Sequence, residues 1–273
     1  TDITIPGSVT SIGINVFGDC TVLTEVLLEN GSTLTSGQLG VDASKIATYW
    51  NEDNLTWTLT ADGTMTISGT GAMKDYSYDS PACDNSNIKK VVIEDGVTSI
   101  GEYAFSGCSM TSITIPDSVK SIGDSAFEWC TGLTSIKIPK SVTNIGEFAF
   151  SGCGDSLEIT VSCDSTLTKK AFGDASEKVK YRHSLVKTDA KDATYTEVGN
   201  VEYWTCENCK KHFLSDETDA EVAKEVELSE IVKPVPVQVA TATTQIKCVY
   251  DQDMDEIDLQ DYVKNADAVG GVS

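Results

Sequence analysis

Histidine and basic residues are scarce in this chain, and each shortage excludes a class of function. Only two residues are histidine, and 20 Lys and Arg stand against 42 Asp and Glu, for a formal net charge of −22 at pH 7. His183 and His212 lie in one short segment, so a histidine-based catalytic triad elsewhere in the chain is excluded. Nucleic acid and anionic lipid surfaces are poor partners, because binding them requires clustered lysine and arginine.

Long apolar runs and catalytic carboxylate pairs are also missing. No stretch approaches the ~18 residues that a transmembrane helix needs, and no signal-peptide pattern is present, so we expect no direct insertion into a membrane. The acidic residues show no paired spacing, and we therefore predict that the chain is not an enzyme. Thr1 lies inside a strand pattern and no closing element precedes Ser273, so we expect a segment of a longer polypeptide.

The chain does contain a clear internal repeat. From Ile100 onwards it reads IGEYAFSGCSMTSITIPDSVK, then IGDSAFEWCTGLTSIKIPKSVTN, then IGEFAFSGC, so that Ile100, Ile122 and Ile145 recur at spacings of 22 and 23 residues. A fixed period of roughly 20 to 29 residues is typical of leucine-rich-repeat solenoids, in which each unit buries its apolar face against its neighbours. The repeat period therefore predicts the architecture of the chain, but it does not identify the molecule that the chain binds.

The order of residues within each unit predicts its local structure. The alternation Ile136-Lys137-Ile138 favours a short strand with one apolar face, and Pro139 ends it because proline cannot donate the next ladder hydrogen bond. Gly146 permits a bend without a Cβ clash, and the Ala-Phe pair that follows supplies the bulky core residue. Each set of equivalent residues should then form a column of like side chains along the stack.

The pattern Ile-x-Ile-Pro-x-Ser-Val-x-x-Ile-Gly-x-x-Ala-Phe-x-x-Cys resembles the BspA-like leucine-rich repeat of surface and secreted proteins from gut and oral bacteria. The resemblance implies a mainly β fold, a leucine-rich-repeat (BspA-like) solenoid in two short arrays with a β-hairpin cap and small β modules. It also implies an extracellular or bacterial cell-surface location. Members of the family are thought of as adhesins for host or neighbouring-cell macromolecules.

Five segments follow from these patterns. They are the end of a first array (1–42), a β-hairpin cap of the second array (43–87), the second array (88–178), a small zinc-ribbon-like Cys-x-x-Cys module (179–232), and a proline linker with the start of a truncated β (Ig-like) domain (233–273). Each array ends in the same shortened unit, as a solenoid needs where its stack stops. Asp62-Gly63 between two alternating runs predicts the hairpin; Trp50 and Trp57 should belong to its core, with sugar binding as the alternative.

The Cys-x-x-Cys module carries the most specific chemistry in the chain. Cys206 and Cys209 can hold one edge of a zinc site, and His183 with His212 would complete a tetrahedral set. The module also resembles one often appended to such surface proteins, with a leading His, a Cys after Ala-Thr and a Cys-x-x-Cys. Tyr195 replaces the first of those cysteines, so His212 must substitute for it. Three outcomes stay open, namely a structural zinc, a Cys206–Cys209 disulfide or free thiols, and a fold without metal.

The other cysteines and the acidic tail indicate structure rather than a site. Four cysteines fall on one repeat column, where a small, weakly donating side chain suits a buried turn; a redox or metal ladder is the alternative. These are Cys20, Cys108, Cys130 and Cys153, whereas Cys83, Cys163 and Cys248 receive no role. Asp251, Asp253, Asp255 and Asp258 lack the glycine and glutamate of a calcium loop, so a solvated loop is favoured.

The outward positions of the repeat predict a broad recognition surface. Trp129 stands where the other units carry glycine, and exposed aromatic residues are the usual anchors of an interface, although packing on the side wall is the alternative. The candidate binding residues are Trp129, Tyr103, Phe148, Ser112, Thr114, Ser135 and Lys137. We predict a non-catalytic module that binds extracellular proteins or glycoproteins, the alternative being a passive spacer that presents another part of a larger secreted protein.

Overall fold

The structure is a computed structural model that describes residues 1–82, 85–194, 197–218, 220 and 223–234. The chain divides into two compact units, one of Thr1–Thr188 with Tyr203–Leu228 and one of Asp189–Glu202 with Ser229–Ser273. Several predictions fall outside the described residues, namely those on Cys83, Tyr195, Cys248, the four aspartates of the tail and the start of a further β domain.

Short strands are the main regular elements of the described chain. In order they are β1 (Asp2–Ile5), β2 (Glu25–Glu29), β3 (Ile46–Glu52), β4 (Leu55–Leu59), β5 (Thr64–Gly69), β6 (Gly71–Ala72), β7 (Lys90–Ile93), β8 (Val97–Ile100), β9 (Ser112–Thr114), β10 (Ser121–Ile122), β11 (Ser135–Ile138), β12 (Asn144–Ile145), β13 (Glu158–Ser162), β14 (Val179–Arg182), β15 (Leu185–Thr188), β16 (Gly199–Asn200), β17 (Tyr203–Cys206), β18 (His212–Phe213), β19 (Glu225–Val226) and β20 (Val232–Lys233). The helices are α1 (Ser36–Leu39), α2 (Leu228–Ile231) and the 3₁₀ segments Ala43–Lys45 and Lys169–Lys178. None of the described helices has the length and apolar character that crossing a bilayer requires.

In the second block, the coils between Lys90 and Ile145 each add a strand to each of two sheets. In the ten-stranded sheet β7, β9, β11, β13 and β14 are parallel neighbours, and β6, β8, β10 and β12 form a four-stranded parallel sheet. Ile136 pairs with Ile113 on one side and with Ile159 on the other, so each residue lies beside its equivalent in the next coil. The predicted fold class, a mainly β leucine-rich-repeat solenoid, is confirmed.

The predicted hairpin is present and lies between the two repeat blocks. Strands β4 and β5 are antiparallel, and Asp62 Oδ1 accepts hydrogen bonds from the Thr60 hydroxyl at 2.6 Å and the Thr64 amide at 2.9 Å. β4 pairs with β3 of the first block and β5 pairs with β7 of the second. One sheet therefore runs unbroken through both blocks and the hairpin. Trp57 is fully buried in the core, so it is not available to a sugar.

The second block has a ladder of phenylalanines through its core. Phe105, Phe127 and Phe150 are nearly parallel, with ring centroids 5.5 and 5.3 Å apart, and Phe172 continues the series at 6.1 Å. The first block has a separate core, formed by Ile5, Leu23, Val26, Leu28, Leu34 and Leu39. Each coil of the second block thus contributes one ring, and its apolar face is covered by the elements stacked on either side of it, which for Phe105 include Trp57 of the hairpin at 5.4 Å.

Residues 101–108, 123–130 and 146–153 form a third side of the coils, which we name the turn wall. Although it is not regular strand, its amides donate to carbonyl groups of the next coil, as Phe105 does to Ala126 at 2.9 Å and Phe127 to Ala149 at 2.8 Å. Gly123 is needed here for close approach, because a Cβ at this position would lie 2.6 Å from the Glu102 amide nitrogen. The turn wall is therefore held coil to coil by backbone hydrogen bonds.

The second compact unit is described only in part. Strand β16 pairs with β20 in antiparallel fashion, and Lys191 forms an isolated bridge to Asn200. Two ion pairs accompany this pairing, Lys191 with Glu197 at 2.7 Å and Lys233 with Asp192 at 3.0 Å. All four of these ionic side chains are substantially exposed, so solvent screens both pairs and neither adds much to stability.

The phenylalanine ladder generates a stability prediction. Phe127→Ala leaves a cavity between two stacked rings, so we expect the free energy of unfolding to fall by about 3 to 5 kcal/mol. Phe148→Ala, in the next coil, is the matched control, because Phe148 is 61% exposed; we expect a loss below about 1 kcal/mol. Urea unfolding followed by circular dichroism measures both, and equal losses would contradict the ladder as the core of the stack.

Candidate functional site

The seven predicted binding residues lie on two different surfaces. Four of them belong to β9 and β11 in the ten-stranded sheet, where Ser112 pairs with Ser135. Thr114, Ser135 and Lys137 are exposed and Ser112 is half-buried, whereas the intervening Ile113 and Ile136 are buried. The outward side chains of this sheet face are therefore polar, and most of them are small. The other three residues, Tyr103, Trp129 and Phe148, lie on the turn wall.

Aromatic side chains gather on the turn wall. Trp129 is 60% exposed and Phe148 61% exposed, and the half-buried ring of Tyr103 lies 4.6 Å from the ring of Tyr78. Tyr78 is itself 60% exposed. It precedes the second block and belongs to no repeat column, so nothing in the sequence pattern indicated that it joins this surface.

The backbone at Trp129 is the least expected feature of the turn wall. Gly107, Trp129 and Gly152 occupy equivalent positions, and all three have left-handed backbone conformations, with φ of 69°, 58° and 66°. This region costs an L-residue roughly 1 to 2 kcal/mol, which is why glycine is usual there and bulky residues are outliers. The indole ring lies over Gly152, where an added Cβ would be 2.7 Å from the ring. Local structure therefore favours glycine at this position.

A second left-handed column runs through Tyr103, Ser125 and Phe148, with φ of 53°, 49° and 56°. The two aromatic residues are two coils apart, and Ser125 of the coil between them is buried. Because successive parallel strands lie about 4.8 Å apart, two coils correspond to about 10 Å. In this column, one coil with a small residue thus lies between the two coils that carry aromatic residues.

A cluster of metal-ligating residues lies at the end of the repeat sheet. Cys163 Sγ, a ring nitrogen of His183, Cys206 Sγ and Cys209 Sγ all lie within 4.8 Å of one another. Cys163 Sγ is 3.6 Å from Cys206 Sγ, and Cys209 Sγ is 3.5 Å from His183 Nδ1. It is the only group of three or more potential ligands among the described residues.

The structure brings together three of the four predicted metal ligands and places His212 elsewhere. His212 lies opposite Thr205 in the pairing of β17 with β18, and its Nδ1 is 3.0 Å from the Thr205 hydroxyl. The ring also packs edge-on against Tyr203. Cys163, to which the sequence assigned no role, takes the fourth position instead.

The strand register explains how Cys163 and His183 meet. Ser162 of β13 pairs with Arg182 of β14, so the residue after each strand emerges at the same end of two adjacent parallel strands. The Cys163 amide donates to the Arg182 carbonyl at 3.0 Å. One sequence signal pointed this way, since Cys163 follows a strand whereas the column cysteines follow an Ala-Phe pair.

The Cys-x-x-Cys turn packs against Cys163 and His183. Cys206 ends β17, where it pairs with Leu185 of β15, and its carbonyl accepts from the Lys210 amide at 2.9 Å. The Lys210 φ of 63° completes the turn. The Glu207 amide donates to the Ser184 carbonyl at 2.8 Å, and Asn208 Nδ2 donates to the Ser162 hydroxyl at 3.0 Å. These bonds fix the turn against the ends of β13 and β14.

The thiols of the cluster differ in their affinity for protons. Burial, together with the neighbouring Cys209 and Cys206 side chains, raises the pKa of Cys163 to about 12. Burial also disfavours the thiolate of Cys206, but polar groups around its sulfur, namely the Cys209 and Asn208 backbone and the His183 and Cys163 side chains, together outweigh that effect and lower its pKa to about 6. Donors that converge on one sulfur stabilise a thiolate, the form that binds metal.

Three of the four column cysteines form part of the core as predicted, and the prediction of a buried position is wrong for Cys20. The Cys130 thiol donates to the Phe105 carbonyl at 3.0 Å and the Cys153 thiol to the Phe127 carbonyl at 3.1 Å, each bonding the preceding coil. Burial raises the pKa of Cys130 strongly and that of Cys153 to about 11. Cys108 is likewise buried, whereas Cys20, in the first coil of this sequence, is exposed.

A family model described as the BspA type leucine-rich repeat region matches residues 1–47 and 77–184, in six copies. A search of the curated proteins gives no significant match. Among solved structures, a leucine-rich repeat protein from Eubacterium ventriosum is 30% identical over 49% of this chain and 43% of its own, with a TM-score of 0.40. A leucine rich cell surface protein from Faecalibacterium prausnitzii is 23% identical over 66% of this chain and 58% of its own, with a TM-score of 0.36. This chain therefore spans only part of each protein.

The buried cysteine column generates a pH prediction. A free thiol ionises near pH 8.5 in the unfolded chain, whereas the folded protein holds Cys130 neutral to higher pH. The contribution of Cys130 is therefore fully present below about pH 8.5 and declines above it by about 1.4 kcal/mol per pH unit. In urea unfolding between about pH 7 and 10, Cys130→Ala should give a shallower decline than the wild type. Cys20→Ala, at an exposed position, is the matched control, and parallel profiles for all three proteins would refute the prediction.

Proposed function

The chain belongs to the BspA-type leucine-rich repeat family, and from that premise we propose that it is a non-catalytic recognition module on a bacterial cell surface or in the extracellular medium. It binds host or neighbouring-cell proteins or glycoproteins through its repeat surface. Leucine-rich repeat domains serve protein interaction in general; the location, the adhesive role and the class of partner are the parts that we propose.

Trp129 is the observation that carries the proposal. A bulky residue in the left-handed region costs roughly 1 to 2 kcal/mol that glycine at the same position avoids. The flanking coils have glycine there, and the indole is more than half exposed. Strained positions of this kind cluster at binding sites, and tryptophan is among the residues that dominate interface energies. A partner that contacts the indole would explain why tryptophan occupies this position, whereas the local backbone conformation favours glycine.

The rest of the turn wall fits a partner of defined chemistry. An acidic residue directly precedes each member of the second left-handed column, as Glu102, Asp124 and Glu147. Exposed rings beside carboxylates favour partners that present basic side chains or sugar hydroxyl groups, and they repel phosphate-rich surfaces. The turn wall therefore suits a protein or glycoprotein partner.

The sheet face provides a second and weaker surface. Its exposed positions are serine, threonine and lysine on β9 and β11, side chains that make many small contacts rather than a few dominant ones. A passive spacer is the alternative function, and the unbroken ten-stranded sheet favours it because a continuous ladder through both repeat blocks resists bending.

Replacement of Trp129 by glycine separates binding from stability. We expect the wild-type chain to bind at least one member of a panel of matrix glycoproteins and mucin saturably at physiological salt, measured by biolayer interferometry. Trp129→Gly should weaken that binding at least about tenfold, as loss of an interface anchor does. Its free energy of unfolding should change by less than about 1 kcal/mol, because relief of the left-handed strain offsets the lost contact with Gly152.

Val22→Ser is the matched control, since Val22 is 75% exposed in the first block and lies outside the turn wall; it should retain full binding. Unchanged binding by Trp129→Gly, together with a stability loss above about 2 kcal/mol, would identify Trp129 as a packing residue. If the wild type binds no member of the panel, the spacer function is the better account.

A further inference from the structure

We propose that Cys163, His183, Cys206 and Cys209 bind one Zn²⁺, and that this ion fastens the Cys-x-x-Cys hairpin to the end of the repeat sheet. Two ligands follow strands of the repeat array and two belong to the hairpin. The inference does not depend on the proposed recognition function, because none of the four residues lies on the turn wall or on β9 and β11.

Two of the six distances between ligand atoms match the edges of a tetrahedral zinc site, and all four ligand atoms lie within 4.8 Å of one another. With Zn–S bonds of about 2.3 Å and Zn–N bonds of about 2.0 to 2.1 Å, the edges of the tetrahedron are about 3.8 Å between sulfurs and about 3.6 Å between sulfur and nitrogen. The observed separations are 3.6 Å for Cys163 Sγ to Cys206 Sγ and 3.5 Å for Cys209 Sγ to His183 Nδ1. The group therefore needs little rearrangement to receive the ion.

The donor set selects zinc and a structural role. Three thiolates and one imidazole are soft to borderline ligands, which zinc prefers and which calcium and magnesium do not. Four protein ligands fill a tetrahedral shell and leave no position for water or substrate, as in structural rather than catalytic zinc sites. The chain therefore supplies a closed Cys₃His site, in which Cys163 replaces the cysteine expected at Tyr195.

The surroundings hold the ligands in place without the ion. The Cys206 amide donates to the Lys211 carbonyl at 2.9 Å, and the Cys206 carbonyl accepts from the Lys210 amide at 2.9 Å, so backbone bonds fix the turn that carries two of the ligands. The His183 ring packs against Phe213, with centroids 4.5 Å apart. Asn208 also bonds to Ser162, directly before Cys163. The hairpin and the sheet end thus meet through direct hydrogen bonds around the proposed ion.

The Cys-x-x-Cys hairpin and the strands that pair with it have too small a buried core to be stable without a further link. In the four-stranded sheet of β15, β17, β18 and β19, the buried apolar residues are Cys206, Phe213 and Val226. A core of that size rarely supports a fold by itself, and small modules usually add a metal or a disulfide. The ion would join Cys163 to Cys206 across 43 residues of chain, which restricts the unfolded state and adds the binding free energy to folding.

A disulfide is the competing structure. Cys163 Sγ and Cys206 Sγ are neighbours, but their separation of 3.6 Å is far longer than the bonded distance of about 2.05 Å. Bonding them would also leave Cys209 and His183 facing each other without an ion. The same objection applies to a Cys206–Cys209 disulfide, which would leave Cys163 and His183.

The test is zinc analysis of the full chain, purified under reducing conditions and dialysed against metal-free buffer. We expect one zinc per chain in the wild type and none in Cys163→Ser. His212→Ala should retain one zinc, since the His212 ring is bonded to Thr205. Cys20→Ser, which removes an exposed cysteine outside the group, should also retain it.

Cobalt substitution of the wild type provides a readout that needs no variant. A site with three thiolates gives a more intense sulfur-to-cobalt charge-transfer band than a site with two, because each thiolate contributes to it, alongside the visible bands of tetrahedral cobalt. Removal of zinc by a chelator should speed hydrogen exchange in β17 and β18 and leave β9 and β11 unchanged.

Three results would overturn the inference. A zinc-free wild type with a Cys163–Cys206 linked peptide in mass spectrometry establishes the disulfide. Zinc loss in His212→Ala with retention in Cys163→Ser, or a two-thiolate cobalt spectrum, establishes the other ligand set. Unchanged hydrogen exchange in β17 and β18 after zinc removal refutes the fastening role. If Cys163→Ser does not fold, the cobalt spectrum of the wild type still decides between the ligand sets.

Discussion

In-register stacking of the coils is the constraint on which the rest of this structure depends. Ile113, Ile136 and Ile159 lie side by side in one sheet, and Ile100, Ile122 and Ile145 in the other. The phenylalanine ladder repeats the same register inside the core. A shift of one residue in any coil would expose its apolar column, so the spacing of 22 or 23 residues is retained while outward residues vary.

The same register determines where function can reside. Residues that face inwards or bond to the next coil must keep their type, as Gly123 does because a Cβ there would meet the Glu102 amide. Departures from the repeat are therefore informative. Trp129 departs at a position where glycine is preferred, and Cys163 departs at the end of a strand. One departure is on the outward side of the turn wall, and the other is where the last two strands of the sheet end.

Much of the fold could be predicted from the sequence because the period of the repeat encodes it. Asp62 and Gly63 indicated the hairpin, and the Ile-x-Ile alternation indicated the strands. The sequence did not indicate that the hairpin joins both blocks in one sheet, since strand pairing at a distance has no local signal. The pairing of Ser162 with Arg182, which places Cys163 beside His183, was hidden for the same reason. The position of His212 opposite Thr205 follows from the register in which β17 pairs with β18. The spacing of these residues in the sequence does not determine that register.

Native-state hydrogen exchange along the ten-stranded sheet tests the stacking account most directly. If each coil is stabilised by its neighbours, the amides of Ile113 and Ile136 in the middle of the second block should exchange slowest. Protection should then decline towards β14. Equal protection in every coil, or faster exchange in β9 and β11 than in β14, would contradict the account, because each coil would then be stable without the coils on either side.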